Sequence, residues 1–154
     1  MEPVAYTWGL TFLSCRGFAS LTALTQAADR FDDRPTVILY AGDHDPSGLA
    51  MDQDLQSRLD RLGCDAHIVR VALTEQQIID NALPPQPTKT GDSRARGWTH
   101  AGSWELDALP APALVAAIES HLQPLAPEDL DDRRSEDDRN RELIMAASRD
   151  LPYR

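Results

Sequence analysis

Short apolar runs alternate with segments of helical period along most of this chain. Leu10–Cys15 predicts a short buried strand that ends at Arg16 and Gly17. Over Ala19–Phe31, the residues Leu21, Leu24, Ala27, Ala28 and Phe31 recur at helical spacing, so a helix is expected there. The polar break from Asp32 to Pro35 precedes a second predicted strand, Thr36–Ala41, built of β-branched and apolar residues. Leu49–Leu62 repeats leucines along one helical face, and Gly63 predicts its C-terminal stop. His67–Val71 reads as a third strand. Thr74 then opens a helix running through Asn81, with Gln77 completing a capping box. Leu83–Ser103 is rich in proline, glycine and polar residues, which predicts a long loop. Trp104–Leu109 predicts a fourth strand, and Ala113–Leu122 a helix stopped before Pro124.

Strands alternating with helices imply right-handed crossovers and a mainly parallel sheet. The expected fold class is therefore an α/β sandwich of about four mainly parallel strands flanked by helices, spanning residues 1–126. Residues 127–154 change character and predict a charged helix or tail. Leu130, Leu143, Ile144 and Ala147 are its only candidates for a docking stripe.

Composition narrows the picture. In 154 residues, 42% hydrophobic and 26% charged, the chain can bury a core without staples and reads as a globular protein. It lacks an apolar run of the ~20 residues a membrane span needs, and it opens without a signal-peptide pattern. Cys15 and Cys64 have no metal-ligand spacing, so reduced thiols and a cytoplasmic location are expected. The net charge of −10 argues against a protein that coats nucleic acid by charge alone. Residues 127–154 carry 9 acids and 6 bases, and the remainder still holds 16 acids against 9 bases.

The candidate chemistry sits at the end of the Thr36–Ala41 strand. Asp43 and Asp45 lie on a turn closed by Pro46 and Gly48, at the strand end where open α/β folds place ligands. Two carboxylates offer the oxygen donors that suit a hard cation such as Mg²⁺, with Mn²⁺ as a substitute. Three other readings of the turn compete. Asp43, Asp45, Ser47, Gly48 and Asp54 fall on EF-hand positions, but an EF-hand needs an entering helix where Thr36–Tyr40 is strand-like. A dehalogenase-type phosphatase also ends a strand in Asp-x-Asp, but its later lysine and acidic pair are not evident. The turn would alternatively be an Asx turn that only caps the following helix.

A second acidic motif adds weight. On the predicted Trp104–Leu109 strand, Glu105 and Asp107 would share a face. Lys89, Arg94 and Arg96 precede them and are candidates to clamp a phosphate backbone, joined by Arg16 at the end of the first predicted strand. Trp98 is either a stacking surface for a base or a pin holding its loop to the core. His44 is a candidate to face solvent, tune the site or donate to a phosphate, His67 is expected to be a structural histidine within its strand, and His100 is a lesser candidate for a phosphate contact.

Gly42-Asp-His-Asp-Pro-Ser-Gly48 and Trp104-Glu-Leu-Asp-Ala-Leu-Pro110 resemble motifs of the Toprim family of topoisomerases, primases and nucleases. The first is most similar to the version in topoisomerase VI A-subunit-like proteins. The second, with Lys89 to Arg94 before it, is similar to stand-alone bacterial and phage Toprim proteins. The resemblance spans Leu10 to Leu122. It implies Asp43 and Asp45 as Mg²⁺ ligands, and a catalytic glutamate at the end of the first strand. That place reads Ser14-Cys15-Arg16-Gly17 here, so Glu105 or Asp107 would have to complete the metal sphere or act as base. Cys15 as a nucleophile is the lesser alternative, since a cysteine at a buried strand end more often belongs to the core.

The expected function is Mg²⁺-dependent nicking or cleavage of nucleic-acid phosphodiesters, most naturally of DNA, bound weakly without help. One alternative is a non-catalytic Toprim module that binds metal or nucleic acid within a complex or homodimer. Another is a hydrolase of small phosphoesters. A complete topoisomerase would need a tyrosine on a separate DNA-binding domain, and Tyr6, Tyr40 and Tyr153 read as packing or terminal residues.

Overall fold

Thr36–Ala41 (β1) and Ala66–Ala72 (β2) pair in parallel, as their β-branched composition favours. The computed structural model describes residues 2–14, 21–31, 34–87, 98–100 and 102–149. Its helices are α1 (Glu2–Thr7), α2 (Leu21–Phe31), α3 (Pro46–Arg61), α4 (Glu75–Asp80), α5 (Ala111–Leu122) and α6 (Leu130–Arg149). Single 3₁₀ turns lie at Leu106–Ala108 and Gln123–Leu125. The chain is thus mixed α/β, with a sheet of two strands among the described residues. No helix among them is long and apolar enough to cross a membrane. By backbone packing the chain divides into two compact units, residues 13–119 and residues 1–12 with 120–154.

In the larger unit, the strands run in register from Thr36 opposite Ala66 to Tyr40 opposite Arg70. An irregularity then sets Ala41 against Ala72. Gly42 and Leu73 extend the pairing: Gly42 N–H donates to the Ala72 carbonyl and Leu73 N–H to the Gly42 carbonyl, both at 2.8 Å. Gln56 of α3 satisfies the edge of β2 that faces away from β1. Its amide donates to the Ala66 carbonyl at 2.7 Å and accepts from Ile68 N–H at 3.0 Å. One side-chain amide thereby does what a neighbouring strand's backbone would do.

Among the described residues, the core of this unit has two clusters. Leu24, Leu59 and Ala66 are buried together, with Phe31, Ile38, Leu55, Cys64 and Ile68 packed against them. Ala72, Leu73, Ile78, Leu83, Trp104 and Leu109 form the second, at the end of the strands that carries the acidic turn. α3 stops as its glycine predicts: Gly63 takes φ +76° and donates to the Asp60 carbonyl, while Cys64 N–H reaches the Leu59 carbonyl. That pair of bonds is a Schellman closure. The Thr74–Gln77 capping box of α4 forms in full.

Two predicted strands are corrected. Leu10–Ser14 pairs with no strand among the described residues and is exposed, and Cys15 lies outside them. Leu10, Phe12 and Leu13 are apolar, but no described backbone lies beside them to complete a ladder. Trp104–Leu109 makes one isolated bridge, His44 with Trp104, and then turns as a 3₁₀ helix instead of extending. Its apolar residues Trp104, Leu106, Ala108 and Leu109 enter the second core cluster from that turn. The four-strand expectation therefore reduces to two strands among the described residues. α3 also begins earlier than its leucine pattern suggests, at Pro46, because Asp45 caps it and proline suits a first helical position.

In the smaller unit, α6 is polar nearly all round and carries ion pairs one turn apart, including Arg133 with Asp129 at 2.7 Å. Of the stripe candidates, Leu130 is half-buried, whereas Leu143 and Ile144 are 68% and 69% exposed. Arginines make the contacts with α1 and the turn after it. Arg134 donates to the Thr7 carbonyl at 3.0 Å and lies 4.5 Å from the Trp8 ring centroid. Arg141 lies equally close to Tyr6.

Candidate functional site

The acidic turn leaves β1 at Gly42 and enters α3 at Pro46. Asp45 sits in extended backbone and its Oδ1 accepts from Gly48 N–H, the N-cap bond that starts α3. Gly48 is required by space: a Cβ there would collide with the Asp43 carbonyl oxygen. The turn closes tightly enough that only glycine fits.

Asp43 is exposed and reaches across the chain. Its Oδ1 accepts from Leu106 N–H at 2.8 Å. His44 and Trp104 add a two-bond backbone bridge, His44 N–H to the Trp104 carbonyl at 2.8 Å and Trp104 N–H to the His44 carbonyl at 3.1 Å. These bonds bring the two acidic motifs side by side. Glu105 and Asp107 flank Leu106, both exposed, on a 3₁₀ turn and not on the shared face of a strand. Among the described residues, no three His, Cys, Asp or Glu side chains converge to hold one ion. Asp43 and Asp45 each commit one oxygen to a backbone N–H, which leaves the second oxygen for a cation. Two carboxylates are enough protein ligands for Mg²⁺, which keeps several waters and takes further oxygens from substrate phosphates. The donor set fits a hard cation. Arg16, Lys89, Arg94 and Arg96, the phosphate candidates, lie outside the described residues, as does Cys15.

His44 is buried, 6% exposed, where the sequence left solvent exposure open. Its Nδ1 lies 3.2 Å from the Leu73 carbonyl, and a carbonyl only accepts, so the neutral ring carries its proton on Nδ1. Nε2 is buried with no hydrogen-bond partner among the described residues. Around it stand Trp98, His100 and Trp104, with ring centroids 5.8, 5.2 and 6.0 Å away. Burial holds the His44 pKa below its ordinary value of 6.5, with smaller downward pushes from His100 and Arg70. The Leu73 carbonyl and Glu75 oppose the shift. Trp98 is tied by its indole N–H to the Gly102 carbonyl at 2.9 Å, and His100 Nδ1 lies 4.0 Å from a Glu75 oxygen. His67, expected as a structural histidine within its strand, is exposed at an open hollow it lines with Asp52, Gln56 and Asp60.

Sequence reasoning missed Arg70. A lone cation in the apolar strand Ala66–Ala72 was the available signal, because such a residue must find partners or leave the core. Its side chain is 14% exposed and pairs with Asp52 at 2.8 Å. Compared with protein-family models, curated proteins and solved structures, the chain matches none.

Proposed function

We propose that this chain is a Toprim-type protein that acts on nucleic-acid phosphodiesters with Mg²⁺, by nicking or cleavage. The observation that carries the reading is the bond from Leu106 N–H to Asp43 beside the His44–Trp104 bridge. It sets Glu105 and Asp107 next to an Asp-x-Asp turn distant in sequence. Asp43 and Asp45 would hold the cation through their second oxygens, and Glu105 or Asp107 would take a proton from the attacking water. When bound, Mg²⁺ supplies Lewis acidity toward a phosphate oxygen. Lys89, Arg94, Arg96 and Arg16 would offset the chain's acidity toward the backbone of DNA.

The test is incubation of supercoiled plasmid with Mg²⁺ or Mn²⁺, using wild type, Asp43→Asn and Asp45→Asn. Asparagine keeps an oxygen for the Leu106 and Gly48 N–H groups while removing the charge. Metal-dependent nicking that disappears in both variants is the expected result. A second reading, a non-catalytic module working in a complex, is favoured by Ser14 and Cys15 standing where the resembled family has its glutamate. The exposed Leu143, Ile144 and Met145 of α6 give such a module an apolar contact for a protein partner. Metal binding without nicking at high protein concentration would select it.

A further inference from the structure

Arg70 ties the acidic turn at both of its ends. Its Nη1 donates to the carbonyls of Gly42 at 3.1 Å and Asp43 at 3.2 Å, with the Leu73 carbonyl at 3.5 Å. Nη2 donates to the Gly48 carbonyl at 2.6 Å, and Nε to Asp52 Oδ2 at 2.8 Å. Gly42 precedes the two aspartates and Gly48 follows them, so one planar group spans the segment that carries both carboxylates. The Tyr40 ring, 5.1 Å from the guanidinium carbon, adds a cation–π contact. Only a rigid fork of donors can serve carbonyls on both sides of the turn together with Asp52. A lysine ammonium is a single nitrogen and reaches one part of this set.

We propose that Arg70 is a positioning residue for the acidic turn, holding Asp43 and Asp45 in the arrangement that binds a divalent cation. The proposal rests on the reading of those aspartates as the cation's ligands. The hydrogen bonds of Arg70 go to backbone carbonyls and to Asp52, so it would act through the backbone that bears the ligands. Outer-shell partners of this kind typically change metal affinity by ~10–100-fold. Coupling is reciprocal, so a bound cation must in turn steady the contacts of Arg70.

The full chain is titrated with Mn²⁺, the free ion being followed by its paramagnetic resonance signal, for wild type, Arg70→Lys, Arg70→Met and Asp45→Asn. Wild type is expected to bind, Asp45→Asn to lose binding, and both Arg70 variants to bind ~10–100-fold more weakly while still melting cooperatively. Lysine should fail to rescue. Arg70 variants that melt lower but bind Mn²⁺ like wild type would reduce Arg70 to a structural role and overturn the proposal. A wild type that binds no Mn²⁺ would overturn the ligand reading, and the proposal with it. Wild type also carries its own test, independent of whether the variants fold. Mg²⁺ should slow hydrogen exchange at the Arg70 guanidinium, read by ¹⁵N NMR, and unchanged exchange with Mg²⁺ bound would overturn the coupling.

Discussion

At the scale of single residues, the capping bond of Asp45 can be separated by substitution from the cation binding proposed for the turn. Asp45 caps α3 through Gly48 N–H, so Asp45→Ala should cost about 1 kcal/mol of stability, whereas Asp45→Asn should cost only a few tenths. Urea unfolding in chelator checks this, and an equal loss in both variants would mean that charge, not capping, sets the stability. His44 makes a pH prediction. Its folded pKa lies below the unfolded value of 6.5, so the unfolded chain binds the extra proton and stability rises with pH in that window. The contribution is complete above about 6.5 and is lost as pH falls from there through the lower folded value. His100, Arg70 and Glu75 are the charged groups that act on the ring, burial being the larger cause. Unfolding midpoints in chelator from pH 8 to pH 5 should therefore fall more steeply for wild type than for His44→Phe. Parallel curves would rule His44 out as the source.

The elements hold together by devices that periodicity does not display. β2 has β1 on one edge and the Gln56 side chain on the other. Gln56→Ala would strand the Ile68 N–H and the Ala66 carbonyl in a half-buried place, at about 1–3 kcal/mol. A chemical-denaturation midpoint shift of that size, with α3 helicity unchanged, is expected; a shift below ~0.5 kcal/mol would show that water replaces the amide. α3 and α4 were legible in the sequence because their ends are local chemistry: Gly63 in left-handed backbone, Thr74 and Gln77 bonding each other. Leu10–Ser14 and Trp104–Leu109 were not. A short apolar run suits a strand, a turn or an unpaired segment, and only a neighbouring backbone decides among them.

For the whole molecule, a net charge of −10 sets the terms of any contact with nucleic acid. Binding should require the divalent cation and depend only weakly on monovalent salt. With about four phosphate contacts, from Arg16, Lys89, Arg94 and Arg96, raising salt from 50 to 200 mM should cost at most ~150-fold in affinity. A loss of 10³-fold or more, as in proteins with six to ten contacts, would reveal a basic surface that the sequence does not suggest. Fluorescence polarisation with labelled single- and double-stranded oligonucleotides at fixed Mg²⁺ measures it.

The sequence by itself determined the α/β character, the paired strands, the C-terminal stop of α3, the capping box of α4 and the acidic turn that follows β1. Each of these depends on side-chain period or on bonds between residues a few positions apart, and such information is local. Tertiary structure alone decided that Leu106 N–H meets Asp43, that His44 is buried among Trp98, His100 and Trp104, and that Arg70 gathers the carbonyls of Gly42, Asp43 and Gly48. Those contacts join residues 22 to 63 positions apart in the case of the hydrogen bonds. Buried polar groups must find partners wherever the packed backbone presents them, and no periodicity records where that will be.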